Sequence, residues 1–273
     1  MPNRPVSPRL IAALALAFAG NTATAANLPA CTAVSGQKTA ALVELYTSEG
    51  CNSCPPADRW LATTFPATAE GATTIPLAFH VDYWDRLGWK DRFATPQYTE
   101  RQHQVMQATR GRFVYTPQVV IQGKDFPGWQ GSARAAGAAI AATNAKPARA
   151  QIALGVVPQP GALAVNAKVD VANAADRNGA TLYVALEESM LVSDVKAGEN
   201  SGARLTHDHV VRVLRDAGTV DRNGAIVADL SLPLPKEAGK ATTVVAFVQN
   251  RDTGDVLQAL ALPLTGGACT IAR

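Results

Sequence analysis

Ala40-Ala41-Leu42-Val43-Glu44-Leu45-Tyr46-Thr47-Ser48-Glu49-Gly50-Cys51-Asn52-Ser53-Cys54-Pro55-Pro56-Ala57-Asp58-Arg59-Trp60-Leu61 is the stretch on which the reading of this chain turns. Residues 40–46 are strand formers, and residues 56–65 read as a helix. Two thiols, two residues apart, stand where the strand gives way to the helix. Backbone N–H groups at a helix start carry partial positive charge and stabilise a thiolate. A cysteine so placed can have its pKa drawn down from about 8.5 into a range of roughly 3.5–7.5. The spacing also lets Cys54 attack a mixed disulfide formed on Cys51.

Outward from this point, strand and helix alternate. Residues 75–81 form a nearly continuous apolar strand, as expected in a sheet covered on both faces. Residues 83–95 are an aromatic, charged connection, and residues 97–109 are polar and helix-friendly. Residues 118–122 read as a third strand, Gly123-Lys124 as a turn, residues 125–129 as a short return and residues 132–143 as an alanine-rich helix. The order β-α-β-α-β-β-α brings Thr116-Pro117 near the sulfurs, and a proline in such a tight turn can take a cis bond.

Asn144-Ala145-Lys146-Pro147 reads as a linker, after which the period changes to two. Residues 162–171 alternate throughout. Further strands are expected at 151–157, 181–187, 209–214, 226–232, 243–249 and 256–264, with Pro160-Gly161, Asn178-Gly179, Asn223-Gly224 and Thr253-Gly254 as turns. This pattern predicts an antiparallel, immunoglobulin-like sandwich. Residues 189–206 form a long loop. Such a loop is either a plain surface connection or a functional one lying over the dithiol.

The N-terminus reads as a targeting segment over residues 1–25: Arg4 and Arg9, an apolar run from Leu10 to Gly20, then Ala23-Thr24-Ala25 as a cleavage site. The expected destination is the periplasm or the exterior, with a lipid anchor on Cys31 as the alternative. No later stretch is apolar for long enough to span a bilayer. Export permits lasting disulfides. If Cys51 pairs with Cys54, a structural bridge between Cys31 and Cys269 would tie down both ends of the mature chain. There are 25 basic and 22 acidic residues, and 23 against 22 without Arg4 and Arg9. With no basic run or basic helix, nucleic acid and anionic membrane are poor partners.

The stretch 44–58 quoted above, with Ala78-Phe79-His80-Val81-Asp82-Tyr83-Trp84-Asp85, Gly88-Trp89-Lys90-Asp91, Tyr115-Thr116-Pro117-Gln118, Gly198-Glu199-Asn200 and His207-Asp208, resembles an exported bacterial thioredoxin-like family classed as a domain of unknown function. The resemblance covers nearly the whole mature chain. It implies an α/β thioredoxin-like domain over residues 37–146, followed by the all-β sandwich over 148–265 and a tail, 266–273, tied back through Cys269. It implies that Cys51 is the nucleophile, that Cys54 resolves, and that Thr116 and a cis Pro117 face them. This sequence departs from ordinary thioredoxin in having Gly50 before Cys51, Asn52-Ser53 between the cysteines, and Glu49 beside them to oppose thiolate formation.

Around this centre, His80, Glu44 and Asp82 are candidate proton-transfer groups. The plainer reading of His80 is a satisfied core histidine. Glu44 interrupts an apolar strand, and a buried charge there needs a reason. Tyr83, Trp84 and Trp89 are candidates for a substrate wall at strand ends, or for packing of the connection. The expected function is disulfide exchange with protein or small-thiol partners and a further redox partner, without cofactor or metal. Two alternatives stay open: Cu(I) or Zn binding by the same thiols without turnover, with His207 and His209 as a second conceivable ligand set, and a structural envelope protein whose dithiol is a staple.

Overall fold

The computed structural model describes residues 31–66, 69, 71–130, 133–236 and 241–264. The expected targeting segment, the tail 266–273 and Cys269 lie outside the described residues. The first part of the chain runs β1 Cys31–Val34, β2 Ala41–Thr47, α1 Pro55–Thr64, β3 Thr74–His80, α2 Pro96–Ala108, β4 Gln118–Ile121, β5 Lys124–Asp125 and α3 Ala133–Asn144. The second runs β6 Gln151–Gln159, β7 Ala162–Asp170, β8 Ala180–Ser189, β9 Leu191–Asp194, β10 Arg204–His207, β11 Val210–Thr219, β12 Ala225–Pro233, β13 Ala241–Asn250 and β14 Val256–Pro263. A 3-10 turn, Asp82–Leu87, follows β3. Thr95 caps α2 by accepting from the Gln97 N–H at 3.0 Å, and Pro96 opens the helix, where its missing N–H costs nothing.

The expected fold class, an α/β thioredoxin-like domain followed by an immunoglobulin-like sandwich, is not what forms. Fourteen strands against three α-helices make the described molecule mostly β-sheet. Its centre is one eight-stranded mixed sheet in the order β14-β13-β8-β11-β3-β2-β4-β5. The join is between β3 and β11, which run parallel with Val210 opposite Ala78, where the Ala78 N–H donates to the His209 carbonyl at 2.7 Å. An exposed edge on β3 would offer unpaired backbone groups, and at Ala78 this contact pairs them. The reason the sandwich reading failed is visible in burial. β8 is buried at every position, and β13 and β14 nearly so. Strands buried on both faces belong to the middle of a covered sheet rather than to one side of a two-sheet sandwich.

Three layers follow. On one face of the large sheet, Leu42, Phe79, Tyr183 and Phe247 form a continuous apolar surface under α2. On the other face, α1 and α3 cover β2, β3 and β4 through Val43, Leu61, Val119 and Ile140. Farther along that same face, the antiparallel sheet β1-β6-β7-β12 covers β8, β13 and β14. β6 and β7 alternate between buried and partly exposed positions, as sheets with one solvated face do. Within the expected loop 189–206, β9 and β10 pair as an antiparallel hairpin. Each strand is only four residues long, too short for a periodicity signal.

Candidate functional site

β2 ends at Thr47, and the chain crosses Ser48–Ser53 before α1 begins at Pro55. Cys51 and Cys54 are joined by a disulfide in this crossing. Pro55 and Pro56 fall in the first helical turn, where a donor is not required. Both sulfur-bearing residues are 0% exposed, while Asn52 and Ser53 between them are exposed. The Cys51 sulfur lies 3.4 Å from the Ser53 hydroxyl and 3.5 Å from that of Thr116. Thr116–Pro117 is a cis peptide at the entry to β4. Trp84 Nε1–H donates to Thr116 Oγ1 at 2.7 Å, leaving the hydroxyl hydrogen free to point at the sulfur. Gly50 lets Trp84 pack closely here, since a Cβ there would sit 3.1 Å from the Trp84 Cβ.

Behind the loop is a buried polar cluster. Glu49, His80, Asp91 and His207 are each at most 2% exposed. His80 Nδ1 meets Asp91 Oδ2 at 2.6 Å, and Asp91 also accepts from the backbone N–H groups of Glu49 and Phe93. Burial opposes the charged form of His80, but Asp91, with Asp58 and Glu49 behind it, outweighs burial and raises its pKa. Burial likewise opposes the Asp91 carboxylate, but His80 and those N–H donors outweigh it and hold its pKa low. Glu49 receives the Trp89 indole N–H at 2.7 Å and lies 3.3 Å from His207 Nε2. Against the cost of burial, His207, Ser193 and Trp89 together keep it below the ordinary carboxylate range. Burial pushes the Asp58 carboxyl up.

The structure therefore gathers some candidates and disperses others. Cys51, Cys54 and Thr116 meet at the disulfide, with Trp84 on the Thr116 hydroxyl and Pro117 joined to Thr116 by the cis bond. Trp89 stands one step away, on Glu49. His80 belongs to the cluster behind the loop, paired with Asp91. Glu44 is on the α2 face of the sheet, where Arg101 Nε donates to it at 2.8 Å and the Tyr46 hydroxyl at 3.3 Å. Asp82 is turned to α2, where it accepts from the Thr99 hydroxyl at 2.5 Å. Tyr83 donates to Gln102 at 3.3 Å and packs against the core under α2. Cys31 is buried in β1, and its expected partner Cys269 lies outside the described residues. His207 and His209 diverge: His209 Nε2 meets the Phe65 carbonyl at 2.7 Å, and its Nδ1 meets Glu187 at 3.2 Å. Among the described residues, no three His, Cys, Asp or Glu side chains come together in a way suited to a metal ion. Glu49, Asp91 and His207 meet here, and only their presence in the family-like stretches hinted at it. Their meeting depends on β10 arriving from the second part of the chain.

Residues 42–249 match the model of a family described as a protein of unknown function, DUF1223, and the chain belongs to that family. Among solved structures it is similar to a protein of Agrobacterium tumefaciens, AGR_C_4864, with 25% identity and a TM-score of 0.59, covering 84% of this chain and 96% of that one. It also shares a fold with HBP35 of Porphyromonas gingivalis, with 15% identity and a TM-score of 0.65, covering 88% of this chain and 79% of that one. No curated protein matches it. No helix among the described residues is long and apolar enough to cross a membrane.

Proposed function

We propose that this protein exchanges disulfides with protein or small-thiol partners outside the cytoplasm through Cys51 and Cys54. The observation that carries this reading is the Cys51–Cys54 disulfide at a strand-to-helix crossing, with the Thr116 hydroxyl 3.5 Å from the Cys51 sulfur. It draws on the motif-level resemblance around Cys51 and Thr116 and needs no thioredoxin fold. In the reducing direction, the Cys51 thiolate attacks a partner disulfide. A Cys51–partner disulfide forms, and one partner thiolate leaves. Cys54, having lost its proton, then attacks the Cys51 sulfur, the intramolecular disulfide forms, and the second partner thiolate leaves. Two electrons pass to the partner, and a dithiol reductant must restore the starting state. In the oxidising direction the same steps run backwards.

A second reading has a specific observation in its favour. Both cysteines are wholly enclosed, and enclosed cysteines are commonly inert. On that reading the disulfide staples the crossing between β2 and α1. A glutathione redox titration of the wild type beside Cys51→Ser and Cys54→Ser separates the two. A potential above about −300 mV, with a mixed disulfide trapped on Cys51 in the Cys54→Ser protein, is expected of an exchanging pair. A potential below that value marks a structural bridge.

A further inference from the structure

The turn between β9 and β10 reaches back onto the dithiol loop. Asn200 Nδ2 donates to the Cys51 carbonyl at 3.0 Å and to the Glu49 carbonyl at 2.8 Å. The neighbouring Glu199 Oε2 accepts from the Asn52 N–H at 3.1 Å. The Cys51 carbonyl and the Asn52 N–H belong to one peptide group, so two consecutive side chains hold both of its ends. Gly198 seats this strap with a φ of +72°, and a Cβ there would lie 3.2 Å from the Trp89 Cβ. Trp89 in turn donates to Glu49. The strap, the tryptophan and the residues before Cys51 thus form one closed set of contacts.

We propose that Glu199 and Asn200 are positioning residues that bias the dithiol toward its disulfide form and so make it the stronger reductant. This rests on the exchange reading above. A Cys51 thiolate is stabilised by N–H groups of the loop and the start of α1. Glu199 occupies the first N–H after Cys51 and sets a negative charge beside it. Glu49, ionised and two residues before Cys51, adds to the same field. The other titratable groups around the loop are Asp58 on α1, His80 and Asp91 behind Glu49, and His207 on β10. Disfavouring the thiolate makes the reduced protein less stable relative to the disulfide.

The test is equilibration with glutathione, in which the disulfide and two glutathiones give the dithiol and one glutathione disulfide. Glu199→Gln keeps the shape and removes the charge. It should shift this equilibrium about three- to tenfold toward the dithiol, roughly 15–30 mV at 29.6 mV per tenfold, and Cys51 should form its thiolate at lower pH. Asn200→Ala should shift it the same way, because releasing the Cys51 carbonyl also draws Glu199 off Asn52. Glu199→Asp, which keeps the charge, should remain nearer the wild type. A merely structural strap would change thermal stability and leave the equilibrium and the thiol titration where they were, which overturns the proposal. A wild type that never equilibrates with glutathione defeats the exchange reading instead. Thiolate absorbance of the chemically reduced proteins then decides the role of Glu199 alone, and an unchanged Cys51 titration counts against it.

Discussion

Arg101, on α2, donates from Nε to Glu44 Oε1 at 2.8 Å inside the core, and the two side chains are 4% and 0% exposed. The guanidinium also donates to Gln249 at 3.1 Å and lies over the rings of Phe79, Tyr183 and Phe247, with centroid distances of 5.3, 5.1 and 4.9 Å. These partners come from β2, β3, β8 and β13, so one cation ties both parts of the large sheet to the helix above it. Glu44 has its reason: it is the counter-charge of this tie. Removing one partner leaves a buried charge uncompensated, at a cost of roughly 3–5 kcal/mol. Arg101→Met should therefore lower the urea midpoint sharply. Adding Glu44→Leu should recover much of the loss, and a double variant as unstable as the single one would contradict this account.

The pair His80–Asp91 predicts a pH dependence of stability. The pKa of His80 is raised by folding, so its contribution is fully present below about pH 6.5 and fades as pH rises through the raised native value. That of Asp91 is lowered, so its contribution is fully present above about pH 3.9 and fades as pH falls through the depressed native value. Between these limits both are ionised in the native state. His80→Gln should cost more stability at pH 5.5 than at pH 9, measured by urea denaturation at both. Some slope should persist in the variant, because His209 beside Glu187 is shifted in the same direction. Equal losses at the two pH values would mean that His80 packs as a neutral group.

Thr116→Val removes the hydroxyl that accepts from Trp84 and faces the Cys51 sulfur. The indole N–H loses its partner, which should cost about 1 kcal/mol of stability. A thiolate on Cys51 loses a donor as well. The glutathione equilibrium should therefore move about threefold toward the disulfide, opposite in sign to Glu199→Gln. Movement toward the dithiol would show that the hydroxyl does not serve the sulfur.

Gly123 has a φ of +76°, and a Cβ there would lie 1.8 Å from the Gly254 carbonyl oxygen. The turn after β4 thus abuts the turn after β13 at backbone distance. Gly123→Ala should cost at least about 2 kcal/mol, combining left-handed strain with displaced backbone. Gly161, at φ +72° with no atom within 4 Å of a Cβ, supplies the comparison. Gly161→Ala should cost only the strain, roughly 1–2 kcal/mol. Urea midpoints at unchanged m-value would test the difference.

Much of the local structure was legible from residues 40–61 and their neighbours. The strand before the dithiol, the helix after it, the position of Thr116–Pro117 and most of the later strands follow from near-neighbour patterning. Periods of two and 3.6, prolines in a first helical turn and Asn-Gly or Pro-Gly turns all act within a few residues. The chain alone also marked Cys51 and Cys54 as a pair that can bond to each other, and the disulfide between them forms. It did not tell that β11 would complete the edge of β3 and merge two expected units into one sheet. Nor did it tell that Arg101 would balance Glu44, that His207 would reach Glu49, or that Asn200 would hold the Cys51 carbonyl. Those contacts are between segments far apart in sequence. They are chosen by which sheet edges and buried charges remain unsatisfied once the local elements have formed, and that accounting closes only in three dimensions.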